Sequence, residues 1–187
     1  MRLTRYSRLF AAAVLLLVGI GAYVASRGPS SPALDLSQAS GTFSFATTSI
    51  QRTPPAGYAE YRDTQYGFSL FYPQELSAKK YDGGGGIATF VFQSVQPVEG
   101  FQMYVIPYSG TKVTEERFRM DEPSGVRDNP TYGLIDGAPA AAFYSRDAHL
   151  GDTYEIWVIH GGYLYEITTL KPLDTWLQGI MQTWRFL

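Results

Sequence analysis

The sequence predicts an α+β domain, in which an antiparallel β-sheet is flanked by helices, and an apolar N-terminal helix that precedes it. Three observations indicate this architecture. Short runs of alternating polar and apolar residues, separated by turn residues, follow one another from residue 58 onward. The last segment of the chain has the apolar spacing of an amphipathic helix. Residues 9–26 contain no charged side chain.

Seven of the alternating runs are predicted as strands, since they are rich in β-branched and aromatic residues. The last two are joined by Gly161-Gly162, a two-residue loop that suits a tight hairpin turn. This turn places His160 opposite Tyr163 and puts Trp157 and Leu164 on the same face of the hairpin. The predicted strands are residues 66–72, 87–93, 101–107, 131–135, 139–145, 154–160 and 163–169.

Both faces of this hairpin carry apolar bulk, so a covering layer is required on each side of the sheet. Six strands at a spacing of about 4.8 Å make a sheet about 29 Å wide. A helix of 12 residues is only about 18 Å long and cannot cover such a face. A second helix, loops, residues 57–63 or a partner must cover the remainder. We expect an apolar patch to stay partly exposed around Trp157 and Leu164.

Two helices are predicted in the C-terminal part of the chain. The shorter one covers residues 115–120, with Thr114 as its N-cap and Val113 and Phe118 placed for a hydrophobic staple. The longer one closes the chain and has Pro172 at its start, where proline is favoured. Its apolar face is formed by Leu173, Trp176, Leu177, Ile180, Met181 and Trp184.

The uncharged run at residues 9–26 predicts a transmembrane helix that acts as a signal-anchor. It lies between Arg8 and Arg27, and its 18 residues span about 27 Å as a helix, close to the thickness of a hydrocarbon core. Three arginines before the run and one after it favour a cytoplasmic N-terminus. The alternative is a cleaved signal peptide, because Val24 and Ser26 are small enough for a peptidase site.

The composition divides the chain into four parts. Residues 1–8 form a basic cytoplasmic lead, and residues 9–26 form the transmembrane helix or signal peptide. Residues 27–56 are rich in Ser, Thr, Ala and Pro and are predicted to be a disordered linker. Residues 57–187 are predicted to be the globular domain. This arrangement places the domain outside the cytoplasm on a single-pass anchor, or in secreted form if the leader is cleaved.

Charge and cysteine content exclude several classes of function. From residue 57 onward there are ten Lys and Arg against sixteen Asp and Glu, a net charge of −6. This balance repels phosphate backbones, so nucleic acid is not expected as a partner. The chain has no cysteine, which excludes disulfides, thiolate metal sites and cysteine nucleophiles. The stability of the domain must therefore come from packing.

Several segments of the domain resemble the bacterial PsbP-like family. Residues 61–73 read Tyr-Arg-Asp-Thr-Gln-Tyr-Gly-Phe-Ser-Leu-Phe-Tyr-Pro and are similar to the opening strand of that family. Residues 136–140, the strand at 163–169 and the final helix ending in Thr-Trp-Arg-Phe are similar as well. The resemblance implies an α/β/α sandwich over residues 58–187. It implies no particular activity, since the relatives include an extrinsic photosystem subunit and a binder of a small GTPase.

Few polar residues are arranged as a site would require. Asp147, His149 and Asp152 could offer ligands to a cation from one loop, but their spacing matches no calcium loop and favours a solvated hairpin turn. His160 beside the Gly-Gly turn is interpreted as a turn-flanking or core histidine. The tetraglycine at residues 83–86 lacks a following Lys-Ser/Thr and is interpreted as a connection between strands. The 14 tyrosines suggest a stacking platform, although strand propensity explains most of them.

We therefore assign no catalytic, cofactor-binding or metal-ligating residue from the sequence, and no cofactor is expected. The function expected is a membrane-anchored, extracytoplasmic, non-catalytic binding or assembly module with a protein partner. The alternative is an exported hydrolase-like enzyme that uses His160 or the loop from Asp147 to Asp152. A purely structural role in the cell envelope is a third possibility.

Overall fold

The structure, a computed structural model, describes residues 34–36, 43–45, 52–94 and 99–187. These ranges contain strands that belong to two sheets, together with two α-helices. The helices are α1 (Glu115–Asp121) and α2 (Asp174–Met181), the second preceded by a 3₁₀ turn at Lys171–Leu173. The strands are β1 (Phe43–Phe45), β2 (Tyr58–Asp63), β3 (Phe68–Pro73), β4 (Ser77–Gly84), β5 (Ile87–Gln93), β6 (Gly100–Pro107), β7 (Asp128–Ile135), β8 (Ala138–Asp147), β9 (Gly151–His160), β10 (Tyr163–Leu170) and β11 (Arg185–Phe186).

The larger sheet has eight strands in the order β1-β7-β8-β9-β10-β6-β5-β4. Strand β1 runs parallel to β7, and the other neighbours are antiparallel. Two meanders, β4-β5-β6 and β7-β8-β9-β10, are joined where β6 pairs with β10. The predicted hairpin register is confirmed, since Tyr163 lies opposite His160 and Glu166 opposite Trp157. The connection from β6 to β7 carries α1.

The first face of the large sheet, defined by Tyr154, Ile156 and Val158 of β9, is covered by a second sheet and a helix. The second sheet has the strand order β11-β3-β2. It packs with α2 against this face to form the larger apolar core. The ring of Phe68 on β3 stacks on Trp184 with 4.8 Å between centroids. Aromatic stacking therefore joins the covering sheet to the segment that follows α2.

The second face, which carries Trp157 and Leu164, is covered by a smaller group of residues. The Phe118 ring of α1 lies 5.7 Å from the ring of Phe143 and 5.4 Å from that of Trp157. Leu34 and Leu36 are fully buried in the same apolar cluster. This layer therefore consists of one two-turn helix and a short stretch of extended chain.

The expectation of an exposed apolar patch at Trp157 and Leu164 is wrong. Trp157 is 1% exposed and Leu164 is 0% exposed. The cover comes from α1 and from Leu34 and Leu36, two leucines of the segment that was predicted to be linker. The large apolar side chains that remain exposed in the described ranges, Tyr58, Tyr81, Met120 and Leu187, lie on separate segments.

Two short pieces of residues 27–56 also depart from the prediction of a disordered linker. Leu34 forms a β-bridge with Val113, and the side chain of Asp35 accepts a 2.7 Å hydrogen bond from Lys112. Residues 43–45 form β1 and pair with β7. Leu34 and Leu36 belong to the apolar cluster of the second face, whereas Phe43 packs against the larger core of the first face, so both pieces bury apolar surface that water would otherwise contact.

The layers also differ from the α/β/α sandwich implied by the resemblance. The described residues are mostly antiparallel sheet with few in helices, and the layer on the first face is largely a second sheet. Strands β2 and β4 were not predicted: β2 alternates between exposed and half-buried positions but carries the polar residues Glu60, Arg62 and Asp63, and β4 is exposed along nearly its whole length. Helix α2 ends at Met181, whereas the predicted periodicity continues to Trp184, which is 1% exposed although it follows the helix.

The cover of the second face can be tested with a pair of leucine substitutions. Leu36→Ala removes a fully buried side chain, so we expect the free energy of unfolding in a urea titration to fall by about 2–5 kcal/mol. Leu187→Ala is the matched control, because Leu187 is 51% exposed, and we expect a change within about 0.5 kcal/mol. Equal stability of the two variants would contradict the packing of residues 34–36.

Candidate functional site

A group of carboxyl side chains lies on the second face of the large sheet, beneath the C-terminal end of α1. We call Asp121, Glu122, Glu155 and Glu166 the carboxyl cluster. Glu155 on β9 and Glu166 on β10 are only 2% and 6% exposed. Strand alternation puts them there, since the first-face positions between them hold apolar residues such as Ile156 and Ile167.

Helix α1 supplies the other two carboxyls. Its N-cap is Thr114, as predicted, and the Thr114 hydroxyl accepts a 3.1 Å hydrogen bond from the Arg117 backbone N–H. Phe118 anchors the helix on the aromatic rings of β8 and β9. This anchor turns Asp121 toward Glu166 and leaves Glu122, the residue after the helix, beside Ser145 of β8.

The cluster is held by one ion pair and several hydroxyl groups. Arg117 forms a bidentate ion pair with Asp121, one turn further along α1. The Glu122 carboxylate accepts hydrogen bonds from the hydroxyls of Ser145 and Ser124. The Thr168 hydroxyl, opposite Glu155 in the sheet, donates a 2.6 Å hydrogen bond to Glu155 Oε2. Arg117 also acts on the charge of Glu166, so it is the cation that faces two of the four carboxyls, Asp121 and Glu166.

Burial changes the acidity of three of these groups. Desolvation raises the pKa of Glu155 to about 8, and the charge of Glu122 adds to this effect while Thr168, Thr153 and Trp157 oppose it. Desolvation likewise raises the pKa of Glu122 to about 7, against the hydrogen bonds from Ser145 and Ser124. The pKa of Glu166 is raised well above its usual range by burial and by Asp121, with Arg117 acting in the opposite direction.

Several polar atoms around the cluster have no hydrogen bond of normal geometry within the described ranges. They include one oxygen of each buried glutamate, Oε1 of Glu155 and Oε1 of Glu166. Thr153 Oγ1 and Trp157 Nε1 are also without a partner of normal geometry. A charged oxygen in such a place is costly, whereas a protonated carboxyl carries no charge. The geometry therefore suits carboxyls that hold protons near neutral pH.

The arrangement does not suit binding of a metal ion. Within residues 34–36, 43–45, 52–94 and 99–187, no group of three or more His, Cys, Asp or Glu side chains is placed to hold one. The burial of Glu155 and Glu166 also separates them from solvent and hence from a dissolved substrate. Proton binding is the chemistry that these residues can perform as they stand.

In the loop from Asp147 to Asp152, which the sequence favours as a solvated turn over a cation site, one oxygen of each aspartate accepts hydrogen bonds. Asp147 Oδ1 accepts 2.7 Å hydrogen bonds from the backbone N–H groups of His149 and Leu150. Asp152 Oδ1 accepts a 3.0 Å hydrogen bond from Arg146 Nε. The chain at Asp147, His149 and Asp152 is the β8–β9 turn, as the interpretation of a solvated hairpin loop requires.

His160 lies at the other end of β9, on the opposite face from the carboxyl cluster. Its ring stacks on Phe186 with 3.8 Å between centroids. Partial desolvation lowers the pKa of His160, and the charge of Asp136 opposes that shift. Asp136 accepts a 2.7 Å hydrogen bond from the Phe186 backbone N–H. The structure thus brings neither His149 nor His160 to Glu155 and Glu166.

The glycine run and the tyrosines serve the fold. Gly85 and Gly86 form the turn between β4 and β5 with φ values of 61° and 82°, which glycine adopts without strain. Tyr66 and Tyr165 are buried in the larger core, where the Tyr165 hydroxyl donates a 2.6 Å hydrogen bond to the Tyr66 carbonyl. The glycines therefore connect two strands, and these two tyrosines are core residues, Tyr165 in β10 and Tyr66 in the turn before β3.

Similarity to known proteins is found at the level of structure. The solution structure of cyanobacterial PsbP from Synechocystis sp. PCC 6803 is similar with a TM-score of 0.52 and 15% sequence identity, over 75% of this chain and 98% of that chain. The domain has a PsbP-like fold. A Bacteroides thetaiotaomicron VPI-5482 crystal structure is similar with a TM-score of 0.46 and 13% identity, over 68% of this chain and 48% of that chain. No family model and no curated protein matches the sequence.

The predicted transmembrane helix at residues 9–26 lies outside the described residues. Among the helices that the structure does describe, none has both the length and the apolar character needed to cross a bilayer. The PsbP-like fold therefore accounts for the domain, and the anchor stays a prediction from the sequence.

Sequence reasoning missed the carboxyl cluster, although a signal for it exists. The hairpin register predicted before the structure already puts Glu155 and Glu166 on the same face as Trp157 and Leu164. A glutamate between large apolar residues on a central strand indicates a buried carboxyl. Asp121 and Glu122 carry no comparable signal, because the docking angle of α1 decides where they point.

The ion pair in the cluster can be tested against a second pair in the same helix. Arg117→Met leaves the buried Asp121 carboxylate without its cation, so we expect a loss of about 3 kcal/mol in the free energy of unfolding. Arg119→Met removes the more exposed pair with Glu115, and we expect a loss below about 1 kcal/mol. Thermal and urea unfolding at pH 7 measure the free energy of unfolding of both variants. An equal loss in the two variants would contradict a buried role for Arg117.

Proposed function

We propose that this chain is a membrane-anchored, extracytoplasmic domain with a PsbP-like fold that acts without catalysis, as a binding or assembly module for a protein partner. The observation that carries the proposal is the separation of the groups an enzyme would have to combine. The two histidines lie on an exposed turn and beside Phe186, whereas the carboxyls of raised pKa are buried beneath α1. General acid–base catalysis requires such groups within hydrogen-bond reach of a substrate.

The competing function is an exported hydrolase-like enzyme. Raised carboxyl pKa values are common in active sites, and Glu122 and Glu155 have them. Structural carboxyls under an apolar layer are shifted in the same way, since desolvation disfavours the charged form wherever it occurs. The Phe118, Phe143 and Trp157 rings pack over this region, which favours the structural explanation.

The location rests on the N-terminal sequence. The uncharged run at residues 9–26, with three arginines before it and one after it, favours an anchor with the domain outside. The acidic balance of residues 57–187 suits an exposed protein surface and disfavours nucleic acid and anionic lipid headgroups as partners. A protein partner is therefore the class that the charge of the domain fits best.

The absence of cysteine allows orientation and binding to be tested with the same variants. Single cysteines are introduced into the full chain at Ser7, in the basic lead, and at the exposed positions Tyr81, His149 and Thr175. In intact cells we expect a membrane-impermeant maleimide to label the three domain positions and leave Ser7 unlabelled until the cells are opened. Labelling of Ser7 in intact cells, or protection of all three domain positions, contradicts the proposed orientation.

The same cysteines then carry a photoactivatable crosslinker. A binding module predicts a discrete adduct with one protein from at least one domain position, and the adduct should persist when His149 or His160 is replaced by alanine in a chain labelled elsewhere. The absence of any discrete adduct from all three positions would overturn the proposed binding role.

A further inference from the structure

The carboxyl cluster has a property that the proposed binding function does not use. It places four carboxyls and one guanidinium between α1 and the sheet, and the two strand glutamates are more than nine-tenths buried. One oxygen of each glutamate has no hydrogen bond of normal geometry within the described ranges, although Thr153 and Trp157 lie close enough to Glu155 to lower its pKa. Helix α1 therefore rests on groups whose burial depends on their charge.

We propose that α1 is a proton-dependent latch, which stays packed on β9 and β10 while the carboxyl cluster holds its protons and loosens when those protons are lost.

The charges that face the cluster make the direction of the effect clear. If all four carboxyls ionised, Arg117 would leave three negative charges in a partly dry layer. Repulsion between them then acts across the contact between α1 and the sheet, where Asp121 faces Glu166 and Glu122 faces Glu155. Titratable and charged groups around the cluster come from α1 and the residue after it (Arg117, Asp121, Glu122), β6 (Tyr104), β8 (Asp147), β9 (Glu155) and β10 (Glu166).

The other charges near α1 do not compensate for this repulsion. Arg127 lies over the Phe118 ring, 4.6 Å from its centroid, and 3.7 Å from Glu115 Oε2 at the start of the helix. Arg119 pairs with Glu115 at 2.8 Å on the outer side of the helix. Asp147, which interacts with Glu122, adds a further negative charge. Arg117 is thus the cation that acts on Asp121 and Glu166 at the end of the helix.

The sign of the pH dependence follows from proton linkage. A carboxyl whose pKa is higher in the packed state than in the loosened state binds more protons when packed. Stability from this source is complete below the ordinary carboxyl pKa of 4.5, falls as the pH rises above it, and is lost once the pH has passed about 7 for Glu122 and about 8 for Glu155. For each proton that is released on opening, the equilibrium constant for opening of α1 rises by up to about tenfold per pH unit.

Loosening of α1 would change the second face. The Phe118 ring covers Phe143 and Trp157, so its departure exposes two large aromatic side chains on the central strands. The larger core on the first face contains none of the cluster carboxyls and keeps its cover from β2, β3, β11 and α2. The latch is therefore a local opening of one layer, distinct from unfolding of the domain.

Hydrogen exchange of the full chain in detergent, measured between pH 5 and pH 9 and corrected for the intrinsic exchange rate, tests the latch. We expect the protection of the amides of residues 118–122 to fall at least tenfold between pH 6 and pH 8. The amides of β10 in the same sample should keep their protection. Unchanged protection of residues 118–122, or an equal loss in β10, would overturn the proposal.

Glutamine variants identify the groups that carry the effect. In the Glu155→Gln/Glu166→Gln variant, neutral amides stand in for protonated carboxyls, so we expect the pH dependence of α1 protection to become several-fold weaker. Glu60→Gln, on the exposed strand β2, is the matched control and should keep the wild-type profile. If the double variant fails to fold, the wild-type comparison of α1 with β10 decides alone. A folded double variant with the wild-type profile contradicts the assignment to these carboxyls.

Discussion

The rest of the structure depends on the two-sided apolar character of the central strands. Along β9, first-face residues such as Ile156 and Val158 alternate with second-face residues such as Trp157, and every one of these three is buried. Neither face can be left in water, because the hydrophobic gain of the fold comes from covering both. The positions of the helices, the small sheet and the N-terminal segment all follow from this requirement.

The two covers are unequal in their chemistry. The first face receives a three-stranded sheet, α2 and a network of stacked rings that includes Phe68, Tyr165 and Trp184. The second face receives α1 together with Leu34 and Leu36. Its apolar contacts end at a region of buried carboxyls and hydroxyls. The stability of this thinner layer therefore depends on protonation as well as on apolar packing.

This asymmetry also bears on how a binding module of this fold could work. Side chains with the chemistry of an enzyme are present, but the fold separates the histidines from the shifted carboxyls. The same carboxyls lie where they influence whether α1 stays on the sheet. Proton binding is thus coupled to the packing of α1 and not to bond breaking. Loss of the protons would expose the aromatic residues beneath α1.

Much of the fold was predictable from local patterns. The β9–β10 register followed from a two-residue turn and strict alternation, and the N-cap at Thr114 followed from its residue type. Strand β4 was missed because it is exposed along nearly its whole length, and β2 was missed because half of its residues are polar although its burial alternates. The roles of Leu34 and Leu36 depend on contacts with residues about 80 or more positions away, such as Val113 and Phe118, which no local pattern contains.

Only two of the four residues of the carboxyl cluster could be predicted from the sequence to be buried. Alternation places Glu155 and Glu166 inside the domain, whereas Asp121 and Glu122 join them through the docking of α1 on Phe143 and Trp157. A shift in pKa depends on burial and on neighbouring charge, and both arise only when these separate segments meet. The sequence predicts the hairpin and the short helix, but it does not predict how the helix packs on the hairpin.

Accessibility of Trp157 tests the complete covering of both faces most directly. With Trp176 and Trp184 replaced by phenylalanine, Trp157 becomes the sole tryptophan of the full chain, and its fluorescence can be quenched with acrylamide at pH 5. The indole is 1% exposed, so the account predicts a short-wavelength emission and quenching far weaker than for free tryptophan. Quenching close to that of free tryptophan in the folded chain would contradict it.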